Sequence, residues 1–183
     1  GKGLYDNIPF YKEQVDRCCE ILKPLLEKDL RDILFNSSDA FDQKDREELL
    51  NRTEYLQSAV FVMGYATSMY WMKGGVYPSA LIGHSTGEYL AACLSGVLSL
   101  EDALYLVVKR AQIISALPEG AMLAVPLKEK ELEPYLAKEG VSLGAVNGPS
   151  LCVLSGEEEA IEAVKETLLK EGIIGIRLPV THA

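Results

Sequence analysis

The segment Gly83-His84-Ser85-Thr86-Gly87 holds the residues best suited to chemistry. In a G-x-S-x-G turn between a strand and a helix, small residues must flank the serine because the turn is very tight. The serine hydroxyl then projects from the turn, and the backbone N–H of the next residue helps to bind an oxyanion. We therefore predict that Ser85 is a nucleophile and that the Thr86 N–H is an oxyanion donor.

A serine nucleophile needs a base, and the chain has two histidines. His84 adjoins Ser85, so the turn directs its side chain elsewhere, and we interpret it as structural. His182 follows the serine in the chain order that serine hydrolases with this turn use, so spacing alone makes it the candidate base.

We call the turn at residues 83–87 the serine elbow. The helices and strands around it must hold it in position. A short apolar run at 78–83 predicts a buried strand, and 88–94 predicts a helix that ends at Ser95-Gly96. Residues 55–73 form a helical pattern that is apolar nearly all round, so we expect this helix to be buried. Ser99 is a helix cap for a further helix from Leu100 to about Ala116.

The sequence changes in character after Glu119-Gly120. Strand patterns and helix patterns then alternate as β-α-β-β-α-β, which is the ferredoxin-like order. The predicted strands are 121–127, 141–146, 151–154 and 173–180, and the predicted helices are 129–138 and 157–171. We therefore predict two domains, 1–119 and 120–183.

Composition excludes several classes of protein. The 183 residues carry a net charge of −9, which argues against nucleic acid as a partner. No apolar run reaches the length of a membrane span, and the first residues lack an apolar signal core. The four cysteines show no metal-binding spacing, so we expect reduced thiols, no zinc and a cytoplasmic location.

The hexapeptide Gly83–Glu88 also carries a family resemblance. It resembles the G-H-S-x-G-E of malonyl-type acyltransferases, which include malonyl-CoA:acyl-carrier-protein transacylases and the acyltransferase domains of modular polyketide synthases. The resemblance covers nearly the whole chain. Further matching segments lie on both sides of the hexapeptide: Thr53-x-Tyr55-x-Gln57, Trp71, Gly75-Val76, Pro78, Ser95-Gly96-Val97, Ser99 to Ala103 and Gly120-Ala121-Met122.

The resemblance implies an α/β fold and an activity. The fold would be a partial α/β-hydrolase-like subdomain with a parallel sheet, followed by the ferredoxin-like α+β subdomain. The activity would move a malonyl-type group from coenzyme A, through an acyl-serine at Ser85, to the phosphopantetheine thiol of an acyl carrier protein in polyketide or fatty-acid-type biosynthesis. A ketosynthase domain would be the neighbour in the parent chain. Malonyl-CoA would be the substrate, with no bound cofactor and no metal.

The resemblance also implies roles for four other residues. Arg110, 25 residues after Ser85, would hold the free carboxylate of the acyl group, because a guanidinium matches a carboxylate in two parallel hydrogen bonds. His182 would help to select the acyl group and indicates malonyl. Gln57 and Asn147 lie in segments that approach the active site in the family, so the resemblance implies that both bind substrate.

We also expect the chain to be a fragment. Its start resembles the stretch just after the family's Gly-Gln-Gly-Ser motif, whose glutamine N–H completes the oxyanion hole. Its end, Val180-Thr181-His182-Ala183, resembles the start of a His-Ala-Phe-His motif whose last histidine is the base. A chain without that donor and that base would be inactive or nearly so by itself.

Two alternatives stay open from the sequence. One is a non-catalytic scaffold, in which the fragment serves only as a folded linker or interaction module. The other is a hydrolase. An α/β-hydrolase-type thioesterase or esterase would use Ser85 as nucleophile and His182 as base, with an acidic residue among Glu157, Glu158 and Glu159 as the third member. Arg110 discriminates between an acyltransferase and a hydrolase, because a hydrolase of neutral acyl groups has no use for it.

Overall fold

The computed structural model describes residues 1–35, 41–180 and 182. The chain divides into two compact units, Gly1–Ala116 and Leu117–Ala183. The described helices contain no stretch long and apolar enough to cross a membrane. Each unit has its own cluster of buried apolar side chains.

The described part of the first unit is helical. Its helices are α1 (Lys2–Asn7), α2 (Pro9–Leu22), α3 (Leu30–Phe35), α4 (Gln43–Asn51), α5 (Thr53–Lys73), α6 (Thr86–Leu94) and α7 (Leu100–Ser115). Helix α5 lies at the centre and packs against α2, α6 and α7, which places the buried core between these four helices. Ser99 caps α7 by accepting a hydrogen bond from the Asp102 N–H, which fixes where that helix begins.

Helix α5 is buried on one side only. Tyr55 and Phe61 are fully buried, whereas Val60 is 53% exposed and Trp71 is 58% exposed. The prediction that this helix is buried nearly all round is therefore wrong for the described residues. An apolar pattern indicates which side chains could be buried, but burial also requires a neighbouring element on each side.

The predicted strand at 78–83 is not formed. These residues are irregular, with bends at Ser79 and Ala80, and Ile82 is 94% exposed. A strand exists through backbone hydrogen bonds to a neighbouring strand, and this segment makes no backbone–backbone hydrogen bond with the described part of the chain. The expected parallel sheet is thus absent from the described residues.

The sheet that does form belongs to the second unit and is antiparallel. Its strands are β1 (Ala121–Val125), β2 (Val141–Gly148), β3 (Leu151–Gly156) and β4 (Ile176–Arg177). They lie in the order β2-β3-β1-β4, with Leu123 opposite Leu154 in the central pair.

The helices of the second unit cover this sheet. A 3₁₀ turn (Glu129–Leu132) and α8 (Glu133–Leu136) stand where one helix over 129–138 was predicted, and α9 is Glu158–Lys170. Ile161, Val164 and Leu168 on α9 are fully buried in one cluster with strand residues such as Leu123. The predicted strand at 173–180 is shorter than expected, because only Ile176 and Arg177 pair with β1.

Candidate active site

Ser85 has the backbone geometry of a tight strand-to-helix turn. Its φ of 52° and ψ of −120° make it the one residue other than glycine with positive φ in the described chain. Such a conformation costs on the order of 1–3 kcal/mol for a side chain with a Cβ, and strain of this kind concentrates at functional sites. Ser85 is exposed and stands at the N-cap of α6, but its hydroxyl makes no capping hydrogen bond. The hydroxyl is thus available for chemistry.

Gly83 and Glu88 close the turn around Ser85. The Gly83 N–H donates to the Oε1 atom of Glu88 at 3.2 Å. The Gly87 N–H donates to the His84 carbonyl at 2.9 Å, and the Glu88 N–H donates to the Ser85 carbonyl at 3.0 Å. The serine is therefore held by hydrogen bonds on both sides. Glu88 is recognisable in the sequence as part of the motif, but its contact with Gly83 is visible only in the structure.

Thr86 provides the first backbone N–H of α6. This N–H has no acceptor among the described residues, as expected for the first turn of a helix. The helix dipole adds a favourable field for negative charge at the same end. An unpaired N–H beside the serine is the arrangement that an oxyanion hole requires.

Arg110 on α7 contacts Gln57 on α5. The Nη1 atom of Arg110 donates to the Oε1 atom of Gln57 at 2.8 Å, and both side chains are partly buried. Arg110 forms no ion pair with a carboxylate of the described residues. Helix α6, which begins directly after Ser85, packs against both α5 and α7. Within the described residues, the first unit thus places a guanidinium without a carboxylate partner on a helix that packs against the helix following Ser85.

The remaining predicted site residues are distributed between the units. His84 is exposed in the turn itself. Asn147 is exposed on β2 and His182 is partly buried; both belong to the second unit. Thr181 and Ala183, which complete the motif around His182, lie outside the described residues.

A cleft of about 480 Å³ lies next to the segment that precedes the turn. It is lined by residues 77–81, Met72 and side chains of α6 including Glu88, but not by Ser85 or Arg110. Among the described residues, no three His, Cys, Asp or Glu side chains are grouped so that they could hold a metal ion.

Comparison with known proteins gives consistent matches. The chain is 38% identical over 184 residues to mycoketide-CoA synthase of Mycobacterium tuberculosis, covering 100% of this chain and 4% of that protein. It superposes with a TM-score of 0.88 on the acyltransferase domain from the second module of the salinomycin polyketide synthase, at 39% identity, covering 100% of this chain and 41% of the other. It superposes with a TM-score of 0.83 on a malonyl CoA-acyl carrier protein transacylase from Clostridium perfringens, at 30% identity, covering 98% of this chain and 55% of the other.

These matches decide between the two families left open by the sequence. The chain spans only a small part of the curated synthases and about two fifths of the salinomycin acyltransferase chain. The matches do not favour the thioesterase or esterase alternative. Residues 1–181 match the sequence profile of the acyl transferase domain family. The serine elbow lies in the first, helical unit of the matched region. The chain therefore belongs to the acyl transferase domain family.

Proposed function

We propose that this chain takes part in moving a malonyl-type acyl group from coenzyme A to the phosphopantetheine thiol of an acyl carrier protein, in polyketide or fatty-acid-type biosynthesis. The observation that carries the proposal is the combination of the strained, uncapped Ser85 with the unpaired Thr86 N–H. The similarity to a malonyl CoA-acyl carrier protein transacylase from Clostridium perfringens supports the substrate and the acceptor.

Ser85 would form the covalent intermediate. Its Oγ attacks the thioester carbonyl carbon while a histidine accepts the hydroxyl proton, and the Thr86 N–H donates to the oxygen that becomes negative. The C–S bond then breaks, coenzyme A leaves as a thiol with that proton, and the acyl group remains as an ester on Ser85. In the second half, the carrier thiol attacks the ester, its proton returns to the Ser85 oxygen, and the thioester forms on the carrier.

Arg110 would hold the free carboxylate of the acyl group. A partly buried guanidinium without a carboxylate partner in the described chain is a site for an anion, and its planar fork suits two hydrogen bonds to one carboxylate. This feature separates malonyl-type groups from neutral acyl groups. We further propose that His182 helps to select the acyl group and favours malonyl, and that Asn147 contributes to binding.

The subdomain architecture is also part of the proposal. The first unit would be a partial hydrolase-like subdomain that carries the serine elbow. The second would be a ferredoxin-like subdomain, supported by its antiparallel sheet with the order β2-β3-β1-β4. An acyl carrier protein and a neighbouring ketosynthase domain would be the partners.

Intact mass spectrometry tests the acyl-serine. The purified chain is incubated with malonyl-CoA, with free imidazole in the buffer to supply a proton acceptor, and Ser85→Ala is the control. We expect a malonyl adduct on the wild-type chain and none on the control. An adduct that persists in Ser85→Ala, or a folded wild-type chain that forms none with imidazole present, would contradict the proposal.

A further inference from the structure

Within the described residues, the partner of Arg110 is a neutral side chain. Arg46 likewise contacts a neutral backbone carbonyl, whereas the other arginines have carboxylate partners. Arg31 pairs with Asp29, Arg52 with Glu54, and Arg177 with Glu158. A carboxylate partner cancels the charge of a guanidinium, whereas an amide oxygen accepts a hydrogen bond and leaves the positive charge in place. The Gln57 contact therefore orients Arg110 without neutralising it.

The contact with Arg110 determines the orientation of the Gln57 side-chain amide. A guanidinium has only donors, so the Gln57 oxygen and not its NH₂ group must face Arg110. The contact uses one donor of Nη1, so other N–H groups of the guanidinium fork remain for a second acceptor.

The backbone beneath Gln57 is firmly held. Its neighbours Ser58 and Tyr55 on α5 are fully buried, and α5 packs directly against α7. The Gln57 oxygen is thus presented from a rigid element, which limits the positions that the Arg110 side chain can adopt.

We propose that Gln57 is a positioning residue that sets the charge selectivity of the site: it holds Arg110 in place as an uncompensated cation, so that acyl groups with a free carboxylate bind in preference to neutral ones. This inference rests on the proposed function, because it assigns Arg110 to the acyl carboxylate. It changes the role of Gln57 from a substrate contact, as the family resemblance implied, to a contact with the residue that binds substrate.

Ligand binding to the full chain tests the inference without depending on turnover. Isothermal titration compares malonyl-CoA with acetyl-CoA, its neutral counterpart, in the Ser85→Ala background so that no acyl group is transferred. Gln57→Glu is nearly isosteric and places a carboxylate against Arg110. Gln57→Leu removes the acceptor and adds no charge. Gln112→Glu adds the same charge on α7, where the Gln112 side chain contacts Lys109 and the Leu25 carbonyl.

The expected result is a change in the ratio of the two dissociation constants. Gln57→Glu should weaken malonyl-CoA binding by about tenfold or more, the range of one charge-assisted hydrogen bond. Gln57→Leu should weaken it less, because the cation remains but is less well placed. Acetyl-CoA binding should change little in either variant, and Gln112→Glu should leave both ligands unaffected.

The outcomes separate this inference from the proposed function. If the parent chain binds malonyl-CoA no better than acetyl-CoA, or binds neither, the Arg110 assignment fails and the inference fails with it. If the parent prefers malonyl-CoA and both Gln57 variants keep that preference, only the inference is overturned. Equal weakening of both ligands, or the same effect from Gln112→Glu, also overturns it. Trp71, the single tryptophan, reports by fluorescence whether each variant is folded.

Discussion

Gly83 and Gly87 approach each other so closely that the first cannot carry a side chain. A Cβ atom on Gly83 would lie 2.1 Å from the carbonyl carbon of Gly87 and 2.2 Å from the backbone nitrogen of Glu88. Both are backbone atoms, which cannot rotate away. A Cβ on Gly87, by contrast, would meet no atom of the described residues within 4 Å. The two glycines of the G-x-S-x-G motif therefore have different structural roles.

Alanine substitutions should distinguish these two glycines. Gly83→Ala should destabilise the first unit by about 1–3 kcal/mol or open the turn, because the added methyl group overlaps backbone. Gly87→Ala should leave stability unchanged or slightly raised, because it lies in α6, where alanine is favoured over glycine. Urea unfolding followed by Trp71 fluorescence measures both variants, and equal costs would contradict the assignment.

The strain at Ser85 predicts an order of stability between two substitutions that both remove the hydroxyl. Ser85→Ala keeps the Cβ atom and hence the unfavourable positive φ, whereas Ser85→Gly relieves it. We expect the glycine variant to be more stable than the alanine variant by about 1 kcal/mol, although glycine also adds entropy to the unfolded chain. An alanine variant at least as stable as the glycine variant would show that the turn is unstrained.

The ion pair between Asp29 and Arg31 should make stability depend on acid pH. Arg31 donates to both oxygens of Asp29, and this hydrogen bonding lowers the pKa of the Asp29 carboxyl below its ordinary value. The stabilisation is complete above the ordinary aspartate pKa of about 3.9 and is lost as the pH falls through the lower pKa of the folded state.

Asp29→Asn measures this contribution. At pH 7 it should cost about 1–3 kcal/mol, because the pair is largely buried and charge-assisted. The difference from wild type should shrink below about pH 4. Asp6→Asn is the matched control, since Asp6 pairs with Lys2 on the surface and should contribute little. Urea unfolding across pH tests both, and a constant Asp29→Asn cost at all pH values would refute the linkage.

The cysteines should differ in their reactivity towards alkylating reagents. Burial raises the pKa of the Cys19 thiol to about 12 and also raises the pKa of Cys18, so both are protonated at pH 8. Cys152 is fully buried as well, whereas Cys93 is only half-buried. Iodoacetamide at pH 8 should modify Cys93 first, and the other three at least about a hundredfold more slowly until urea is added. Rapid modification of Cys18 or Cys19 in the folded chain would contradict their burial.

Much of the local structure could be predicted because its signals are local. The Ser99 cap, the apolar face of α9 and the turn at Pro149-Ser150 between β2 and β3 act over a few residues of chain. The prediction of a strand at 78–83 is wrong because strand formation depends on residues that are distant in sequence. The apolar run of this segment is suited to a sheet, but a strand needs a neighbour with which to exchange hydrogen bonds, and the sequence pattern does not contain that neighbour.

The candidate site likewise has features that depend on local sequence and features that depend on distant parts of the chain. The sequence by itself determined the serine, the glycine that lets the turn close and the first N–H of the helix, because these lie within six consecutive residues and depend on backbone sterics. It also singled out Arg110 and Gln57, but separately. Only the tertiary structure decided that these two side chains meet, since they are 53 residues apart in sequence and come together through the packing of α5 against α7.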